Sequence, residues 1–421
     1  MTCLLCLFLL TLTPVSSGQQ PMTADVPALV KQLKDRDAKV RIAAARRLLS
    51  SGKEAKAAVA VLIELMKDGD KDIRMLVFNA LDTIGPTARA AIPVLTEALR
   101  DESYFVRWSA FRALGSIVRD SSAGVPALVK DLKDNDPQVR AVAAARLASL
   151  REEAKAAIPT LIELLRDKDK YTRLLAISVL NEVGTDVSAV PTLIELLKDK
   201  DESIRSGAMA ELGKLGTAAR ASVPALIEVL SDEDANLRKD AASALGEIGR
   251  DAKDAAPTLI KMLKDPDAAA RQHAAYALGT VEPEATIAVP ALIEALKDED
   301  SIVRYYAATA LRKLGPEAKA ATPLLTDMLN TPDLPSRCAA ALALGGIGPG
   351  AKEAVPALLK SLNDQAGFMR AMAAVALLRI APESEPKITP ALLTEAKALV
   401  GKVEGADWGY CLGGAVRSTP K

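Results

Sequence analysis

The sequence predicts an all-α fold, an α-solenoid of about eleven two-helix repeats of 33 residues. Three observations lead to it. Prolines recur at Pro27, Pro93, Pro126, Pro159, Pro191, Pro224, Pro257, Pro290, Pro323, Pro356 and Pro390, with Ala60 in the one vacant place. The steps are 33 residues, except one of 32 before Pro191 and one of 34 before Pro390. An Asp column follows eight residues after the proline and an Arg column six residues after that, each with its own Leu positions.

Each period divides into two helices. The first begins at the proline, which suits the first helical turn because its missing N–H would be unpaired there anyway. Leu stands two residues later in all twelve copies, from Leu29 and Leu62 to Leu392, and an apolar residue usually follows four later, as at Leu33 and Leu99. That spacing is one helical stripe facing a core. The acidic turn comes next: Asp35, Asp68, Asp101, Asp134, Asp167, Asp199, Asp232, Asp265, Asp298 and Asp364, with Thr331 the single break. Two residues on, a second Asp column (Asp37, Asp70, Asp136, Asp169, Asp201, Asp234, Asp267, Asp300, Asp333) stands where the second helix needs its N-cap. The Arg column has no exception: Arg41, Arg74, Arg107, Arg140, Arg173, Arg205, Arg238, Arg271, Arg304, Arg337 and Arg370. Gly52, Gly85, Gly184, Gly216, Gly249, Gly315 and Gly348 are placed to end second helices in the left-handed conformation.

Eleven copies of one Asp–Arg pair cannot be eleven active sites. Stacking sets the Arg of one hairpin near the Asp of the next, so the columns predict a charge-assisted ladder that fixes register. They are structural, not catalytic.

Composition agrees. Aromatics are 3% of the chain and hydrophobics 49%, so the apolar mass is small and aliphatic, as close-packed helices require. Lys and Arg number 54 and Asp and Glu 54, which gives no general reason to expect nucleic acid or an anionic membrane as partner. Arg46, Arg47, Arg112, Arg146 and Lys239 are too scattered for a basic stripe, with Glu211 and Asp240 among them. The run Cys3 to Leu12 is too short to span a bilayer, and small residues follow at Val15 to Gly18. Residues 1–18 are therefore expected to be an export signal, giving a secreted or periplasmic protein with no membrane span afterwards. Residues 19–403 are expected to form the solenoid and 404–421 a non-repeat tail or cap. After cleavage only Cys338 and Cys411 remain, too few for a disulfide framework or a structural zinc site.

The Pro, Asp and Arg columns with their Leu and Ala partners resemble the HEAT repeat, in the short Ala-rich form of the phycobilin lyase type. The resemblance covers roughly residues 22–403. It implies a right-handed superhelix with first helices convex and second helices concave. HEAT-like proteins include a di-iron hydroxylase built on several His–Glu pairs. This chain has one histidine, His273, followed by Ala274, which excludes that chemistry within one chain. No second residue suggests His273 as a catalytic base, and no Gly-rich phosphate loop is present. No cofactor, metal or catalytic residue is expected.

Function in a repeat array is sought where repeats disagree. Outside the end segments the aromatics are Phe78, Tyr104, Phe105, Trp108, Phe111, Tyr171, Tyr276, Tyr305, Tyr306 and Phe368, and all lie near the column Arg on second helices. Positions one, two and five after that Arg are expected to point away from the two-helix core. Met75, Trp108, Arg112, His273, Tyr276, Tyr305 and Tyr306 occupy them and are the expected contacts of a protein or extended peptide on the concave face. Phe78 and Phe111, at the fourth position, are expected to fill gaps. The competing reading is a lyase-like or enzyme-subunit role in holding a prosthetic group or substrate protein.

Overall fold

The computed structural model describes residues 25–400, apart from 67, 69, 102 and 121–123. The segments read as export signal (1–18) and as tail or cap (404–421) lie outside the described residues. The described chain is an all-α array of repeated helix pairs, the solenoid that the period predicts, with no strand among the described residues. Its contacts divide it into two compact units, one ending at Glu211 and one beginning at Leu212.

The first unit pairs α1 (Val26–Gln32) with α2 (Ala38–Leu49), α3 (Val59–Leu65) with α4 (Lys71–Ile84), and α5 (Ile92–Ala98) with α6 (Tyr104–Ile117). It continues through α7 (Val125–Asp131) and α8 (Pro137–Leu150), α9 (Ile158–Leu164) and α10 (Lys170–Val183), then α11 (Val190–Leu196) and the start of α12 (Glu202–Leu215). In the second unit the pairs are α13 (Val223–Val229) with α14 (Ala235–Ile248), α15 (Ala256–Met262) with α16 (Ala268–Val281), and α17 (Ala285–Ala295) with α18 (Ser301–Leu314). Then come α19 (Thr322–Met328) with α20 (Leu334–Ile347), α21 (Val355–Ser361) with α22 (Gly367–Ile380), and α23 (Pro390–Val400).

The predicted signals act where expected. Proline occupies the first turn of most first helices, as at α5, α9, α13 and α21. The second Asp column caps second helices through its carboxylate: Asp37 accepts from the Lys39 N–H, Asp136 from Gln138 and Asp234 from Asn236. The first Asp column folds the turn before it, each carboxylate accepting from the N–H two residues on, at 2.9 Å for both Asp35 and Asp265. The column Leu are buried, as Leu62, Leu161, Leu226 and Leu325 show, except Leu392 in the last helix, which is half-buried.

One recurring element is not announced by a 3.6-residue pattern. A 3₁₀ turn joins most pairs, as in Gly85–Ala91, Arg151–Ala157, Gly249–Ala255, Gly315–Ala321 and Gly348–Ala354. Its two alanines stand three apart, so they share one face of a three-residue turn. Ala88 and Ala91, Ala154 and Ala157, and Ala318 and Ala321 are all fully buried.

Gly85, Gly184, Gly216, Gly249, Gly315 and Gly348 have positive φ as expected, whereas α2 stops at Leu49 with Ser50 as its cap, short of Gly52. Arg151 fills the same column after α8 with φ 50° and ψ −119°, a conformation suited to glycine. Such strain costs on the order of 1–3 kcal/mol. Arg151→Gly is therefore expected to stabilise the protein by about 1 kcal/mol after the chain-entropy cost of glycine, raising the melting temperature by roughly 1–2 °C. Calorimetry showing a lower melting temperature would mean that the Arg151 side chain contributes more than its backbone costs.

Candidate functional site

The Arg column is a two-way clamp. In all eleven copies the guanidinium donates back to the carbonyl six residues earlier, from Arg41 to Asp35 (2.9 Å), Arg74 to Asp68 (2.7 Å) and Arg107 to Asp101 (2.8 Å) through Arg370 to Asp364 (2.8 Å). Several of these arginines also reach forward to the next turn's carboxylate: Arg41 to Asp68 (3.0 Å), Arg173 to Asp199 (2.9 Å), Arg238 to Asp265 (2.7 Å), Arg271 to Asp298 (2.8 Å) and Arg337 to Asp364 (3.4 Å). Two rungs shift by two residues. Arg304 pairs with Asp333 (2.6 Å), because Thr331 offers no carboxylate, and Arg140 pairs with Asp169 (3.4 Å). Thr331 still serves through its carbonyl, which accepts from Arg337 at 3.0 Å, so the Arg column survives a gap in the Asp column.

The clamp leaves both partners ionised. For Asp265 burial pushes the carboxyl up, yet the hydrogen bond and charge of Arg238 outweigh it and the net direction is down. Its hydrogen bond to the Asp298 carboxylate holds the Arg271 guanidinium above its usual range against burial. These groups hold turns together and are not poised for proton transfer.

The residues expected to bind a partner form two patches, one in each unit. In the first, Trp108 on α6 is half-buried and the Arg112 guanidinium lies 4.8 Å from its ring centroid. Asp82 on α4 forms an ion pair with Arg112 and accepts from the Ser116 hydroxyl, and Arg119 donates to Ser116 at 3.2 Å. The cation is thus held against the indole face. Met75 and Leu76 on α4 are half-buried. Phe78 and Phe111 fill gaps, with 1% and 7% of their surface exposed. Phe105 was grouped with these aromatics by sequence but not placed among the contacts; it is 62% exposed. Its signal was its place two residues before the Arg, at the edge of the turn.

In the second unit, His273 and Tyr276 on α16 and Tyr306 on α18 are half-buried. The Tyr276 and Tyr306 rings meet edge to face at 5.5 Å, and Tyr305 meets Tyr306 in the same way at 5.4 Å. Tyr305 corrects the expectation of an outward position, since only 7% of it is exposed. Other positions one, two and five after the Arg are buried too, including Ala141, Ser109 and Val375. A second helix packs against second helices on both sides, so its outward wedge is narrower than a lone hairpin would give. Gly246 makes room for Tyr276: a Cβ there would lie 3.2 Å from the tyrosine ring and 3.2 Å from Thr280 Oγ1.

The His273 Nδ1 donates to the Ala269 carbonyl at 2.8 Å, which leaves Nε2 as the acceptor of a neutral ring. Burial pushes the imidazole below its usual range, aided by Lys239, although the Ala269 hydrogen bond works the other way. A depressed folded pKa means that the unfolded state takes up the proton first. Stability is present above about pH 6.5 and falls as pH drops toward the folded value. His273→Gln is expected to flatten that part of the melting-temperature profile between about pH 7 and 5. A mutant profile that keeps the wild-type slope would assign the effect to carboxylates.

No cluster of three or more metal-ligating side chains occurs among the described residues, and no helix among them is long and apolar enough to cross a membrane. Cys338 is buried 3.8 Å from the Met369 sulfur, and burial raises its thiol to about 12, so it is held as the unreactive thiol.

Comparison with known proteins supports the repeat. No curated protein sequence matches the chain. Among solved structures, importin beta is similar at 16% identity over 89% of this chain and 60% of that one, with a TM-score of 0.51. An engineered protein is similar at 23% identity over 85% of this chain and 98% of that one, with a TM-score of 0.47. Kap95p is similar at 16% identity over 93% of this chain and 56% of that one, with a TM-score of 0.44. The profile of HEAT repeats matches residues 26–115, 92–167, 158–223, 223–289, 256–337 and 289–379, the same stretch in which every Arg closes its own turn. The chain belongs to the HEAT repeat family.

Proposed function

We propose that the protein is a non-catalytic scaffold that holds a protein or extended peptide on the concave, second-helix face of its repeats. The observation that carries this reading is the Trp108–Arg112–Asp82 arrangement. An indole and a guanidinium are pre-set against each other beside Met75, and the half-buried Trp108 retains surface for a partner. Trp, Tyr and Arg are the side chains that most often anchor interfaces, and pre-ordering lowers the entropy lost on binding. The conspicuous polar residues that could suggest catalysis are occupied in the clamp.

The test is quantitative capture of partners from native extract by wild-type protein and by Trp108→Ala with Arg112→Ala. Loss of one anchor pair is expected to weaken binding about tenfold or more while the helical signal and melting temperature hold. Tyr305 is unsuitable for this test because it is buried, and Tyr306→Ala probes the second patch instead. Equal recovery by all variants would place the partner elsewhere.

A further inference from the structure

Stacked repeats ordinarily touch only their immediate neighbours. The first unit departs from that rule at its inter-helix turns. Arg107, at the start of α6, donates to the hydroxyl of Ser203 in α12, three periods away in sequence. The Tyr171 hydroxyl, at the start of α10, donates to the Arg100 carbonyl at 3.3 Å, two periods back. The Arg100 guanidinium and the Lys170 ammonium each lie 5.1 Å from the Tyr171 ring centroid. Lys170 pairs with Asp201 at 3.0 Å. The turns before α6, α10 and α12 thus form one polar cluster, and the turn before α8 is left out of it. Residues 133–137 of that turn are all exposed, whereas the clamp aspartates Asp68 and Asp199 keep 13% and 10% side-chain exposure.

The sequence supplies a cause. In register with Ala88 and Ala91 of the preceding connector stand Ser121 and Gly124 before α7. Gly124 is exposed, whereas Ala91 is fully buried. The junction between α6 and α7 therefore lacks the alanine pair that seats other connectors, and the α7–α8 pair can lie out of line. We propose that the cluster of Arg100, Arg107, Lys170, Tyr171, Asp201 and Ser203 is an electrostatic clasp that holds the first unit bent, and that releasing it lets this unit extend. Its parts are partly exposed ion-pair, cation–π and hydrogen-bond contacts, individually weak and in part screened by salt, so the balance can be tipped.

The test is small-angle X-ray scattering of the full chain at about 0.05 M and 1 M salt, where the screening length falls to about 3 Å. The same measurement is made at low salt on the triple variant Lys170→Glu, Tyr171→Ala, Ser203→Ala. Circular dichroism is recorded in parallel. The expected result is a larger radius of gyration for wild type in high salt and for the variant in low salt, with helicity unchanged. Scattering that is the same in all three samples overturns the proposal. If the variant loses helicity, the wild-type salt series decides, together with the charge swap Lys170→Asp, Asp201→Lys: no change with salt, or a swap that extends the unit instead of restoring the wild-type profile, also overturns it. No partner enters this measurement, so the proposed binding role and the clasp can fail separately.

Discussion

Replacing Arg271 with leucine is expected to destabilise the second unit by about 3 kcal/mol, far beyond the cost of losing a surface ion pair. The guanidinium grips the Asp298 carboxylate with two bonds, 2.8 and 3.0 Å, and the Asp265 carbonyl with a third at 2.9 Å. Side-chain exposure is 10% for Arg271 and 11% for Asp298, so removing one partner strands a charge with little water. Arg271→Lys should recover only part of the loss, because an ammonium cannot span both the carboxylate fork and the carbonyl. Adding Asp298→Asn to Arg271→Leu should restore stability, since the amide keeps an acceptor for the Asp300 N–H without the orphan charge. Chemical denaturation of the four proteins checks this. Equal midpoints for Arg271→Leu and wild type would show the clamp to be decorative.

Phe78→Ala is expected to cost about 3–5 kcal/mol, the range for a large aromatic removed from a closed core. Phe78 is 1% exposed, on a second helix that packs against α3, α2, α6 and the 3₁₀ turns on either side of its own repeat. Because stability in a repeat array sums over local interfaces, the damage should be local. Hydrogen exchange should show protection lost first in α2, α4 and α6, while α16 to α22 keep theirs. Uniform loss of protection throughout the chain would argue against nearest-neighbour behaviour.

The parts of the molecule legible in sequence are those written many times. The prolines, the Asp caps and the Arg–Asp pairs follow from columns in which each residue has one local task. Departures arise where the outcome depends on more than one repeat. Tyr305 holds the same column place as Trp108, yet packing against Tyr306 buries it. The forward shift of Arg304 was readable, because Thr331 lacks a carboxylate; that of Arg140 was not, because Asp167 is present. The 3₁₀ connectors escaped because a stripe three apart in seven residues resembles the edge of an α-helix. Contacts two and three periods apart, as between Arg100 and Tyr171, leave no trace in a pattern of period one.

The forward reach of the clamp arginines gives the array a direction. Arg41, Arg140, Arg173, Arg238, Arg271, Arg304 and Arg337 each spend one set of donors on their own turn and offer the other to the turn that follows. Arg370 closes its own turn on Asp364 and Gln365, and no aspartate stands between it and Ala406 to receive it. Whole periods removed from the amino-terminal side would leave the remaining forward pairs, such as Arg238 with Asp265 and Arg271 with Asp298, intact. The same number removed from the carboxy-terminal side would create one arginine without its forward carboxylate. Length variants of this scaffold are therefore not symmetric: the array can be shortened from its beginning, or extended there, without rewriting a junction, whereas its far end must each time be finished anew.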